Sequence, residues 1–425
     1  MPQLIKTLKA AALQFSAIWW FPCQVKAARR AVMTLQSTGT TSRQSARQLL
    51  VDVSIIVSHD AGTGIQRVVR SLLLQLLDAP PPGFRIRPVQ ATRKQPYRYA
   101  DSYLASLISS MEAPENDYVQ VSEGDIFLGL DFASRIAPRR QFDLLKWRVQ
   151  GVRCAFVVYD LLPLLHPQWF TPRSRRSFRH WLSTLAIHAD ALLCISNSVS
   201  NETRNCMSRR FRLTGNEPSI QWFHLGADLP SNHINAPAIA MHPASEVRQR
   251  VLMVGTIEPR KGHTQALDAF DLLWRNGVDA TLIIAGKQGW DVEPFIERMK
   301  SHPEANNRLF WLQDINDAQL IALYADLDGL MMASEAEGFG LPLVEAAQYG
   351  MPMFIRDLPV FREVAGEHAT YFAAQSAAEL APQLAKWLGQ LERGMAPPSH
   401  AMKSLTWSAS SEQLKALIAD IDVPR

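Results

Sequence analysis

The chain has 425 residues, 47% hydrophobic and 20% charged. That is enough for two domains with real cores, and it is the composition of a soluble globular protein, not a disordered one. The net charge of +4 is unevenly spread: residues 1–230 hold 28 Lys and Arg against 16 Asp and Glu, the remainder 16 against 24. A basic half suits an anionic lipid surface or nucleic acid, a solvated arginine-rich helix face being the alternative. Cys23, Cys154, Cys194 and Cys206 show no C-x-x-C spacing, which supports neither a zinc site nor a disulfide framework and fits a reducing cytoplasm.

Residues 1–48 run from Leu4-Ile5-Lys6 through Trp19-Trp20-Phe21 to Lys26, Arg29 and Arg30. The apolar part is shorter than the ~20 residues of a spanning helix, and no small-residue cleavage site marks a secretory signal. Tryptophans between cations suit a helix lying in a membrane interface; a helix packed on the protein's own body is the other reading. Ser37 to Gln48 reads as a polar linker, and Val51 to Val57 as the first strand. A glycine loop, Gly62-Thr63-Gly64, then leads to Arg67 and an apolar helix from Val68, a strand–loop–helix order that favours anions. Asp125–Leu130, Cys154–Tyr159 and Ala191–Ser196 are buried-strand runs, with Asp160 just past the second. His166, His180 and His188 read as structural.

In the second half Arg250-Val251-Leu252-Met253-Val254-Gly255-Thr256 is a buried strand that delivers Arg260 and Lys261 at its C-terminal edge, where open parallel sheets bind ligands. Arg forks onto phosphate oxygens and Lys adds a point charge. Ala280–Lys287 and Arg308–Gln313 are further strands with their turns. Asp326-Leu327-Asp328 has a D-x-D spacing but precedes a strand instead of ending one, so it is not read as a metal site. Gly329–Ser334 is a short strand feeding Glu337-Gly338-Phe339-Gly340-Leu341-Pro342-Leu343-Val344-Glu345, a glycine turn that opens a helix. Glu345 and Glu337 suit hydroxyls, while the amides around Gly340 suit phosphate. That combination suggests a nucleotide-sugar.

Glu337 to Glu345 resembles the E-x7-E motif of retaining glycosyltransferases of family four, over residues 50–425 and most clearly over 250–370. The resemblance implies an α/β GT-B architecture: two Rossmann-like domains facing across a cleft, with a C-terminal helix crossing back to the N-domain. After the amphipathic helix and linker read over 1–48, it implies an acceptor domain over 49–229, a linker over 230–247, a donor domain over 248–402 and the crossover helix over 403–425. By the same resemblance Glu345 holds the nucleotide ribose and Glu337 lies beside the donor sugar. Arg260 and Lys261 hold the diphosphate, with Gly255 and Thr256 below it, Thr256 standing where many members have arginine. Gly62 and Gly64 face the donor, the Leu312-Gln313 backbone contacts the base, and Gly338, Phe339, Gly340 and Leu341 complete the donor loop. Asp160 is carried over as catalytic. Tyr159 replaces the family's histidine and, with Arg67 and Asp160, is an acceptor candidate. Family members work without a metal, and no cofactor is implied beyond the nucleotide diphosphosugar co-substrate.

The loops around Gly64 and Gly255 are similar to those of bacterial O-antigen and exopolysaccharide mannosyltransferases. GDP-mannose is the preferred donor, a dTDP-deoxyhexose such as dTDP-rhamnose the second. The acceptor is a glycan or lipid-linked glycan, at a cytoplasmic site peripheral to the inner membrane, with no nucleic-acid partner. The rivals are a sugar-nucleotide epimerase of the same fold and a non-catalytic GT-B scaffold in a polysaccharide assembly complex.

Overall fold

A computed structural model of the chain describes residues 2–35, 46–108, 117–228 and 249–422. They form two compact units, the first running to His224 and resuming at Trp407, the second spanning Leu225–Thr406. Most residues assigned above to the linkers 37–48 and 230–247 lie outside the described residues.

The first unit opens with α1 (Pro2–Trp19) and α2 (Val25–Met33) and continues through β1 (Arg47–Asp52), α3 (Ser54–Ser58), α4 (Gly64–Asp78), β2 (Phe84–Gln90), β3 (Arg98–Tyr99) and α5 (Asp101–Ile108). Then come β4 (Ile126–Gly129), α6 (Gln141–Val149), β5 (Arg153–Val158), α7 (Leu162–Leu165), α8 (Pro172–His188), β6 (Ala191–Cys194), α9 (Asn197–Arg209) and β7 (Ser219–Trp222). The strands form one sheet in the order β3-β2-β1-β4-β5-β6-β7, parallel except where β3 runs against β2. β4 and β6 are buried along their whole length, as parallel strands covered by helices on both faces must be.

The second unit holds β8 (Gln249–Val254), α10 (His263–Arg275), β9 (Ala280–Ala285), α11 (Glu293–Lys300), β10 (Leu309–Leu312) and α12 (Asp317–Asp326). It continues with β11 (Gly329–Met332), α13 (Leu341–Ala347), β12 (Met353–Arg356), α14 (Pro359–Ala365), β13 (Thr370–Phe372) and α15 (Ala377–Glu392). The sheet is parallel throughout, in the order β10-β9-β8-β11-β12-β13. Gly329 is required by packing: a Cβ there would sit 2.5 Å from the buried Trp387 ring that α15 lays on the sheet. The last helix, α16 (Trp407–Asp422), returns to the first unit, burying Leu414 and Ile418 against it with α4, β5 and β6 as neighbours.

Two expectations need correction. β1 starts at Arg47, inside the stretch read as linker, and ends at Asp52; the apolar run beyond it is the helix α3. Carboxylates cause the break. Asp52 Oδ1 accepts the Ser54 N–H at 3.0 Å, and Asp131 Oδ2 accepts those of Ile55 and Ile56 at 2.7 and 2.8 Å, satisfying the donors a helix start leaves over. The following helix begins at Gly64, not Val68, because Thr63 and Gln66 form a reciprocal capping box. The N-terminal stretch is a helical hairpin on the body of the unit. Arg29, almost fully buried, donates to the carbonyls of Ala186 and Ala189 at 3.1 and 2.7 Å, next to α8.

Candidate functional site

The residues that converge lie at the C-terminal edge of the second sheet, where the neighbouring strands β8 and β11 end side by side. β8 runs into Gly255, whose φ of +129° only glycine adopts readily, and then into a 3₁₀ turn over Pro259–Lys261. Gly262 closes that turn at φ +71°. A Cβ on it would lie 2.2 Å from the Ala333 carbonyl oxygen at the end of β11, so the two loops meet backbone to backbone. Glu335 N–H donates to the Arg260 carbonyl at 2.8 Å, and Arg260 Nη1 donates to the Ala336 carbonyl at 3.1 Å.

This stitching brings Glu337 between the two cations. Lys261 Nζ lies 2.5 Å from Glu337 Oε1, and Arg260 Nη1 lies 3.0 Å from Oε2. Glu258 Oε2 lies 3.0 Å from Arg260 Nε. All four side chains are largely buried, and their formal charges cancel. Burial alone would raise the Glu337 carboxyl, but Arg260 and Lys261 outweigh it and hold it down at about 2, with help from Ser334. For Glu258 burial wins and the carboxyl is raised. The Lys261 ammonium also stands over Gly255: a Cβ there would meet Nζ at 3.7 Å. Gly255, Arg260, Lys261 and Glu337 thus form one cluster.

Glu345 is buried on α13, where its Oε2 accepts the Tyr324 hydroxyl at 2.8 Å. The helix start offers fewer amides than the glycine turn suggested. Leu343 N–H donates to the Gly340 carbonyl at 2.9 Å, and Pro342 has no N–H. Gly340 is left-handed at φ +98°, and Phe339 is buried beside it. At the neighbouring strand ends Leu312 has its carbonyl bound to Gly286 N–H at 2.9 Å, while Gln313 is exposed and Thr256 half-buried. Asp326 and Asp328 both pair with Arg250, at 2.9 and 3.2 Å, at the opposite edge of this sheet.

In the first unit Gly62 turns at φ +66°, and Gly64 is the first residue of α4, with Arg67 in its first turn. Tyr159, named above as a candidate for binding the acceptor, is buried and gives its hydroxyl to the Leu130 carbonyl at 2.8 Å, so that role is withdrawn. Asp160 Oδ1 accepts Leu162 N–H at 3.0 Å. Its charge, added to burial, raises the Glu202 carboxyl to about 7. Glu202, Glu258, Ser334 and Tyr324 escaped sequence reasoning. Arg356 did too; it is buried at the end of β12 and donates to the Ala333 and Ala374 carbonyls at 3.1 and 2.8 Å. No motif marks them: Glu202, Tyr324 and Arg356 are defined by partners distant in the chain, while Glu258 and Ser334 meet Arg260 and Glu337 nearby in loops whose course the residue types do not reveal.

Residues 239–394 match the family described as Glycosyl transferases group 1. The chain is 42% identical over 378 residues to the serotype-specific mannosyltransferase WbdA of Escherichia coli, covering 88% of this chain and 45% of that protein. It is 29% identical over 214 residues to the O-antigen chain mannosyltransferase RfbU of Salmonella typhimurium, covering 50% and 55%. The chain therefore spans about half the length of the curated relatives it matches. Among solved structures, Anabaena HepE in complex with UDP and glucose superposes with a TM-score of 0.58 at 13% identity, covering 88% of this chain and 99% of that one. The catalytic domain of starch synthase IV from Arabidopsis thaliana, bound to ADP and acarbose, gives 0.56 at 12% identity, covering 89% and 100%. Residues 239–394 are thus similar to the Glycosyl transferases group 1 family, on a chain with the fold of GT-B glycosyltransferases.

Proposed function

We propose that this chain is a retaining mannosyltransferase of bacterial surface-polysaccharide synthesis, taking mannose from GDP-mannose and passing it to a glycan or lipid-linked glycan. The observation that carries the reading is the Arg260–Glu337–Lys261 cluster at the C-terminal edge of a parallel sheet. Relatives named as a serotype-specific mannosyltransferase and as O-antigen chain mannosyltransferases support the sugar and the setting. In this reading charge builds on the departing diphosphate as the glycosidic bond breaks, and Arg260 and Lys261 meet it without a metal ion. A cation set in place beforehand needs no reorganisation at that moment. Glu337 keeps both cations in position and offers a carboxylate oxygen to a donor hydroxyl, and Glu345, steadied by Tyr324, accepts from the ribose. The leaving phosphate assists deprotonation of the acceptor hydroxyl on the same face, which gives retention.

The experiment is a melting-temperature screen of the purified full chain against GDP-mannose, dTDP-rhamnose and UDP-sugars, followed by product analysis with lipid-linked glycan acceptors from a bacterial membrane extract. A bound donor raises the melting temperature by mass action. The reading predicts a shift with GDP-mannose and an α-mannosylated product formed in EDTA. Transfer from dTDP-rhamnose alone would replace the donor. Free epimerised sugar would replace the reaction, and nucleotide binding without turnover on any acceptor would make the chain a scaffold.

A further inference from the structure

The helical hairpin at the start of the first unit carries a surface that the transfer reading does not use. One face of α1 is buried through Ala10, Gln14, Ala17 and Ile18. On the other side Leu4, Leu8 and Phe15 recur at helical spacing, and Ile5, Trp20 and Phe21 stand clear beside them. Leu4, Ile5, Leu8, Trp20 and Phe21 are between 52% and 64% exposed. Phe15 meets Trp20 edge-on at 5.1 Å and stacks on the half-exposed Phe142 at 6.3 Å, so the aromatics form one patch spanning two parts of the chain. Exposed apolar groups scattered singly are ordinary; a contiguous set marks a binding face.

Charge identifies the occupant. Residues 1–51 contain no Asp or Glu, and on the hairpin Lys6, Lys9 and Arg30 are exposed while Lys26 is half-buried. α8, which packs on both hairpin helices, adds Arg173, Arg175, Arg176 and Arg179, again without an acid. The Arg139 guanidinium lies 5.6 Å from the Trp19 ring, and that ring lies 4.6 Å from His180. After burial, the charges of Arg179, Arg176 and Arg139 are what lower the pKa of His180, so these cations gather around His180 and Trp19, the residue before Trp20.

We infer that this face docks on an anionic lipid bilayer, with Leu4, Leu8, Phe15, Trp20 and Phe21 entering the headgroup–acyl boundary and the flanking lysines and arginines facing the headgroups. Tryptophan settles at that depth because its ring is apolar and its N–H is polar, and each nearby cation adds attraction to anionic lipid. The same face of a second copy would set cations against cations. Such a surface is where a lipid-linked acceptor is met, but it stands apart from the sugar chemistry and does not depend on it.

The test is flotation of the full chain with vesicles of phosphatidylcholine alone and of phosphatidylcholine with phosphatidylglycerol, at low and high salt. Binding is expected only with phosphatidylglycerol, and weaker at high salt. It should fall about tenfold in the Leu8→Gln, Phe15→Ser, Trp20→Ser variant and again in Arg176→Gln, Arg179→Gln. These side chains are mostly exposed, so unchanged melting temperatures serve as the folding control. Should the first variant misfold, quenching of wild-type tryptophan fluorescence by lipids brominated near the headgroup reads insertion directly. Absence of vesicle binding, or binding that all variants retain, overturns the inference. So does a dimer in light scattering that the apolar substitutions abolish, which would give the face to a second copy. Donor binding in the melting screen is unaffected by any of these outcomes.

Discussion

Arg260 and Lys261 share one carboxylate, and this governs what each substitution does. In Lys261→Met, Glu337 keeps Arg260, so the protein folds while, on the proposed reading, the diphosphate loses a cation. Activity should fall on the order of 10²–10³ in kcat, the loss typical of one preorganised electrostatic contact, with a smaller change in donor KM. Glu337→Gln exposes the pH dependence of the cluster. The folded pKa of about 2 lies below the ordinary 4.5, so the pairing stabilises the protein fully above pH 4.5 and is lost as pH falls toward 2. The gap corresponds to roughly 3 kcal/mol. Denaturant titrations at pH 6 and at successively lower pH should show wild type and Glu337→Gln converging by about that amount, and a constant difference would contradict the pairing.

The loop after β8 depends on contact between strand ends. Gly262→Ala adds a methyl at a left-handed φ and drives it into the Ala333 carbonyl oxygen, a backbone atom with no rotamer to move. The conformational penalty and the overpacking together should cost about 3 kcal/mol, read as a lower melting temperature, and activity should fall as Lys261 leaves Glu337. Much of this region was legible in the chain. The apolar runs of β8, β9 and β11, the left-handed glycine before α13 and the Arg260-Lys261 pair all stood where their types predict. The part that stayed hidden depends on strand order. Lys261 and Glu337 are 76 residues apart and meet because β8 and β11 are neighbours. Likewise Val53–Val57 is apolar enough for either a strand or a helix, and Asp131, far along the chain, decides for the helix. Tyr159 shows the same limit in reverse: its type suited a substrate contact, but the Leu130 carbonyl had already taken its hydroxyl.

The chain leaves its first unit at His224 and comes back at Trp407, so the stability of that unit rests partly on its last helix. α16 buries Leu414 and Ile418 completely. It also ties down β7 and the short stretch from there to His224. Ser410 Oγ donates to the His224 carbonyl at 2.7 Å, and Gln221 Nε2 donates to Asp420 at 3.0 Å. The Arg153 guanidinium at the start of β5 donates to the Ile421 carbonyl. Leu414→Ala removes buried methyl groups in the first unit, at a cost of about 2–5 kcal/mol. If each unit melts around its own core, calorimetry of the variant should show one transition moving to lower temperature while the other stays. GDP-mannose, held on the proposed reading by residues of the second unit, should then raise the unmoved transition more than the shifted one. A single transition displaced as a whole would mean instead that the two cores unfold together, with α16 as the element coupling them.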